Sequence, residues 1–98
     1  MSLRVLEIAQ LELDEAISYY NAQKPGLGDA FLLEAVAAIE RIRKFPDAWH
    51  PLGPSLRRCR LRRFPYGLIY ASNANEILIV AIAHAHRRPD YWRDRLTR

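Results

Sequence analysis

The chain has 98 residues, half of them hydrophobic and 27% charged, a balance that suits one small globular domain over residues 1–98 rather than a disordered segment. No run approaches the ~18 apolar residues of a membrane span, the Met1-Ser2-Leu3-Arg4 start lacks a signal-peptide core, and the lone Cys59 excludes an intrachain disulfide or a cysteine-based zinc site, so the cytoplasm is the expected setting. The net charge of +4 conceals a division: five Lys/Arg against eight Asp/Glu through residue 56, then ten Arg and no Lys against three Asp/Glu.

Arg4-Val5-Leu6-Glu7-Ile8 reads as a short first strand. From Leu11 to Gln23, Leu13, Ala16, Ile17 and Tyr20 recur at helical spacing and predict an amphipathic helix. Lys24-Pro25-Gly26-Leu27-Gly28 stops it, and Asp29 stands where an N-cap belongs. A second helix is expected over 30–44, burying Leu32, Ala35, Val36, Ile39 and Ile42 and leaving Glu34, Glu40, Arg41 and Lys44 to solvent. Pro46 ends it, and so short a connection makes the two helices an antiparallel hairpin.

A loop with three prolines follows, pinned by Trp49. Residues 57–64 alternate, with Cys59 and Leu61 on one side and Arg58, Arg60 and Arg62 on the other, which predicts a half-buried strand with a row of guanidiniums on its open face. Residues 66–71 and 76–84 read as two further strands around the turn Ser72-Asn73-Ala74-Asn75. The last is apolar on both faces, Ile77, Ile79 and Ala81 opposite Leu78, Val80 and Ile82, and so belongs inside the sheet. Residues 91–98 are expected to form a short helical tail. The expected fold is α+β: β-α-α-β-β-β, a helical hairpin packed on a small, mostly antiparallel sheet, with a short C-terminal helix.

The densest chemistry follows the last strand: His84, His86, Arg87, Arg88, Tyr91 and Trp92 within nine positions. Two histidines alone do not make a metal site, and the adjacent arginines oppose a dication; neither a metal nor a cofactor is expected. RNA cleavage without a metal needs a base for the 2′-hydroxyl, an acid for the departing 5′-oxygen and cations for the phosphorane. His84, His86, Arg87 and Tyr91 are the candidates for that chemistry, and Arg58, Arg60, Arg62 and Arg88 for binding a nucleic acid or another acidic target. The competing reading is structural: the aromatic residues pack the sheet and His84 is a satisfied histidine at a strand end.

The pattern resembles the RelE/ParE superfamily of toxins from bacterial type II toxin–antitoxin modules. Tyr19-Tyr20, the helix Gly28…Phe31…Ile39…Ile42…Pro46, and Arg63-Phe64-Pro65-Tyr66…Tyr70 carry the likeness, together with Ile79–Ile82 leading to His84 and Arg87-Arg88-Pro89-Asp90-Tyr91-Trp92. The ending looks like the plasmid-stabilisation branch. The resemblance implies a β-α-α-β-β-β fold, an acidic antitoxin forming a hetero-oligomer with the chain, no membrane partner, and growth inhibition when free. RelE-like members cleave mRNA on the ribosome, and their pattern points here to Arg58, Arg60, Arg62, His84, Arg87 and Tyr91; ParE-like members inhibit DNA gyrase. The lysine-rich surface of ribosome-dependent members is absent. A basic protein-interaction module without toxicity is the third reading.

Overall fold

The computed structural model describes residues 2–96. Strand β1 (Ser2–Val5) leads into helix α1 (Glu7–Gln23), helix α2 (Leu27–Lys44), a two-residue strand β2 (His50–Pro51), then β3 (Arg57–Arg60), β4 (Tyr66–Ser72), β5 (Glu76–His84) and a 3-10 turn at Arg93–Leu96. The sheet order is β1-β5-β4-β3-β2, with β1 parallel to β5 and every other pairing antiparallel. The α+β class, the hairpin, the two long strands and the interior position of β5 agree with the sequence reading.

The differences have local causes. The Leu6 N–H closes the β1 ladder on the Ile79 carbonyl, so the chain is released into a helix at Glu7 rather than continuing as strand to Ile8. Helix α2 starts at Leu27, and Asp29 is not its cap. Gly26 takes a left-handed φ of 89°, and Asn21 Oδ1 on the preceding helix accepts from the N–H groups of both Gly26 and Gly28. Asp29 instead lies in the first turn, where its charge favours the helix dipole.

The face α2 buries is Gly28, Phe31, Ala35, Ala38 and Ile42, at alternating spacings of three and four. Leu32 and Val36, expected inside, are 39% and 47% exposed. The rotation follows from Gly28, whose missing Cβ lets α2 sit against the backbone of α1 at Ile17. Phe31 then stacks on Tyr20 with ring centroids 5.5 Å apart and meets Phe64 and Tyr66 edge-on, seeding the core between the hairpin and the sheet. Trp49 anchors its loop as expected, donating Nε1–H to the Arg41 carbonyl while its own carbonyl accepts from Arg57.

Strand β5 does not alternate cleanly. Tyr70 pairs with Ile79 and Ile69 with Ala81, leaving Val80 as the extra residue of a β-bulge. Val80 and Ala81 consequently both join the core on the side away from the helices, with Leu56, Ile69 and Trp92. Ile82 returns to the helix side with Ile77 and Ile79, reversing the sides expected for Ala81 and Ile82.

The outer parts of the sheet are closed by side chains from the helices. Arg41 donates to the carbonyl of Arg60 at 3.1 Å, and Glu34 accepts from the backbone N–H groups of Arg62 and Arg63. Glu34 is therefore not a solvent residue: its side chain is only 10% exposed. Burial opposes its charge, but the bonds from Arg63 and Arg62 outweigh burial and hold its carboxyl below the ordinary range.

Candidate functional site

A cleft of about 340 Å³ opens on the sheet face away from the helices, between the turn at Phe64-Pro65 and the C-terminal strap Arg87–Trp92. Four of the sequence candidates that line it are cationic: Arg58, Arg60, Arg87 and Arg88. His84 and Tyr91 also border it, whereas Arg62 and His86 do not. Arg62 is missing because β3 ends at Arg60; the chain then turns, and the alternation that would have carried Arg62 to this face stops.

The placement of Arg58 depends on Gly67. In the β3–β4 register Arg60 lies opposite Gly67 and Arg58 opposite Ile69, and the Arg58 stem crosses β4 over the glycine. A Cβ at Gly67 would stand 3.0 Å from Arg58 Cγ and 3.1 Å from Cδ. Laid down in this way, Arg58 has its Nε buried with no hydrogen-bond partner among the described residues. Burial, and secondarily the charge of Arg60, push its guanidinium pKa down from the ordinary value. A guanidinium stays protonated at neutral pH, so Arg58 is a half-buried cation, its Nε–H shut off from solvent, with no counter-charge among the described residues.

The strap is held from below by a residue that the sequence reading did not single out. Glu12 of α1 binds Arg95 through both oxygens at 2.9 and 2.8 Å, accepts from Tyr91 Oη at 3.0 Å, and accepts from the Ile82 N–H at 3.0 Å. Arg95 also donates to the Val80 carbonyl at 2.9 Å. Both backbone groups belong to the stretch of β5 past Ile79, where β1 no longer pairs. The clamp therefore serves the bulge and the strap together, and each of its two charged side chains is only 12% exposed. An i,i+4 pattern or a local motif could not have exposed a pairing between the first helix and the turn at Arg93–Leu96.

Glu12 has opposing influences on its charge. Burial alone would raise its pKa; the hydrogen bonds from Arg95, Ile82 and Tyr91, with the Arg95 charge, win and hold it below 4.5. A carboxyl with a lower pKa folded than unfolded adds stability that is complete above the unfolded value and is lost as pH falls through the folded one. Denaturant unfolding should accordingly show stability falling as pH drops below about 4.5, with a shallower fall in Glu12→Gln. An identical acid profile in that variant would remove Glu12 from the explanation.

The same clamp fixes Tyr91. Its hydroxyl pKa is pushed up to about 12, first by burial and then by the neighbouring Glu12 carboxylate. Arg87 lies 4.2 Å from the Tyr91 ring centroid and Arg95 5.0 Å from it. His84 packs edge-on against Tyr66 at 4.9 Å, and its Nδ1 accepts the His86 backbone N–H at 2.9 Å, so the neutral ring carries its proton on Nε2. The two imidazoles are neighbours, 5.3 Å between centroids, but no group of three His, Cys, Asp or Glu suited to a metal occurs among the described residues.

Two helices on one face of the sheet and a basic cleft on the other define the toxin-type α+β scaffold to which comparison with known proteins points. A solved structure described as a chromosomal ParDE toxin–antitoxin system from P. aeruginosa superposes with a TM-score of 0.76 at 22% identity, covering 86% of this chain and 95% of that one, a likeness of fold. The family model for the ParE toxin of the type II toxin–antitoxin system, parDE, matches residues 3–89, and the chain belongs to that family, within the RelE/ParE superfamily. No curated protein sequence matches it. Its pairing with a cognate antitoxin follows at the level of the family. Among the described residues no helix is long and apolar enough to cross a membrane.

Proposed function

We propose that this protein arrests growth when free of its antitoxin by inhibiting DNA gyrase in the cytoplasm, and that the antitoxin silences it in a hetero-oligomer. The observation that carries the choice of target is the commitment of the proton-transfer candidates. Metal-free RNA cleavage needs an acid and a base within hydrogen-bond reach of the phosphate held by the cations. The Tyr91 hydroxyl donates a hydrogen bond to Glu12 and keeps its proton with a pKa of about 12, His84 Nδ1 accepts from the backbone, and His86 stands outside the cleft. Arg58, Arg60, Arg87 and Arg88 can bind an anion, but they are not accompanied by a free acid–base pair. The family match and the lack of a lysine-rich surface support the same branch.

The test is controlled induction in a bacterial host, following plasmid topology and transcript integrity side by side. Supercoiling should fall as growth stops while mRNA stays intact. Early transcript cleavage with supercoiling retained would favour a RelE-like, ribosome-dependent endoribonuclease instead. Undisturbed growth with abundant soluble protein would leave only the non-toxic interaction module.

A further inference from the structure

We infer that the basic cleft is a carboxylate-binding slot, centred on Arg58, that receives an acidic side chain from an extended segment of a protein partner. This deepens the toxin reading and rests on it for the existence of that partner, while the chemistry of the slot rests on the geometry of the chain. Buried donors without an acceptor are rare because leaving one unmade is costly. Arg58 Nε is such a donor, and Gly67 lets the stem reach that position. Among the described residues no carboxylate pairs with Arg58, Arg60 or Arg88. The one acid that lines the cleft among the described residues, Asp90, is bridged to Arg93 at 3.3 Å. A guanidinium fork matches a carboxylate in shape as well as charge.

The surroundings favour a peptide over a nucleic acid. Single-stranded nucleic acid needs aromatic faces on which to stack its bases. Here Tyr91 is covered by Arg87 and Arg95, Trp92 has Arg93 over its ring at 5.2 Å, and Tyr66 is held edge-on by Phe31 and His84. The remaining walls include Leu52, Leu61, Phe64, Ile69 and Trp92. Those side chains suit apolar neighbours on either side of one acidic residue.

The Arg58 Nε–H, being buried, gives a directly observable ¹⁵N-correlated signal on the whole chain. The probe is a blocked tripeptide with one glutamate between two leucines, compared with its glutamine counterpart, inorganic phosphate and hexathymidylate. The signal should move saturably with the glutamate peptide, and the glutamine peptide should bind about tenfold more weakly or worse, the loss expected when a guanidinium–carboxylate pair is reduced to a guanidinium–amide hydrogen bond. Arg58→Gln, which has no such signal, should abolish the shifts that the glutamate peptide otherwise causes in the backbone amides of the cleft. Gly67→Ala, which disturbs the Arg58 stem and leaves the charge, should weaken binding, with the remaining amide spectrum reporting that each variant is folded. Equal binding of the two peptides, no movement of the signal, or saturation by hexathymidylate or phosphate at lower concentration than by the peptide would each overturn the proposal. Because binding is read without toxicity, failure to arrest growth leaves the slot standing, and an empty slot leaves the toxin reading standing.

Discussion

Replacing Glu12 by alanine should cost about 3 kcal/mol of folding stability, the scale of loss when one partner of a mostly buried ion pair is removed. The variant strands the Arg95 guanidinium, 12% exposed, and deprives the Tyr91 hydroxyl and the Ile82 N–H of their acceptor. Arg95→Met should cost less, since it removes the buried cation but leaves Glu12 bonded to Tyr91 and Ile82. A double-mutant cycle would show strong non-additivity, because most of what either change costs is the penalty of the orphan left behind. Urea unfolding of the four proteins measures this directly. A loss for Glu12→Ala below about 1 kcal/mol, typical of an exposed pair, would mean that the clamp is a surface contact without structural weight.

Gly28→Ala should be comparably damaging for a different reason. A Cβ there would lie 2.1 Å from the Ile17 carbonyl oxygen and 2.6 Å from Asn21 Cγ. The first neighbour is backbone and cannot step aside, so the helices must separate. Separation also breaks the bond from Gly28 N–H to Asn21 Oδ1 at 2.8 Å and shifts Phe31 against its aromatic neighbours. Overpacking a tight contact costs about 1–3 kcal/mol and occasionally more; the upper end is expected here, because alanine's better helix propensity, worth about 1 kcal/mol, is the only compensation. Thermal unfolding and near-ultraviolet circular dichroism would both register the change. An unaltered melting temperature would show that the hairpin is not set by this approach.

Features carried by neighbouring residues were legible in the sequence. The strand at Glu76–His84 was bounded by a polar turn and by Pro89, and the hairpin by Pro25, Gly26 and Pro46; the structure keeps all of these. What periodicity left out is relational. The bulge at Val80 is defined by its partner strand, and nothing in Leu78-Ile79-Val80-Ala81 distinguishes it from regular strand. The phase of α2 was readable in principle as Gly28-Phe31-Ala35-Ala38-Ile42, but Leu32 and Val36 are more apolar than the alanines that displaced them inward. Small residues won because the helices sit close. Of the site, the arginines and the strap were visible as a cluster, and Arg58 and Arg60 reached the cleft together. Glu12, which decides what Tyr91 can do, lies far away in sequence and looked like one acid among several on α1.

The separation of Glu12 from Arg95 also sets an order of events. The two are 83 positions apart, so on a chain made from its N-terminus the hairpin and β5 exist before the residue that locks them. Until Arg95 emerges, Glu12 is an unmatched carboxylate and the bulged strand has an open carbonyl. The basic cleft therefore gains its second wall only once Arg95 has been made, which withholds the finished surface from any chain that stops short of that residue.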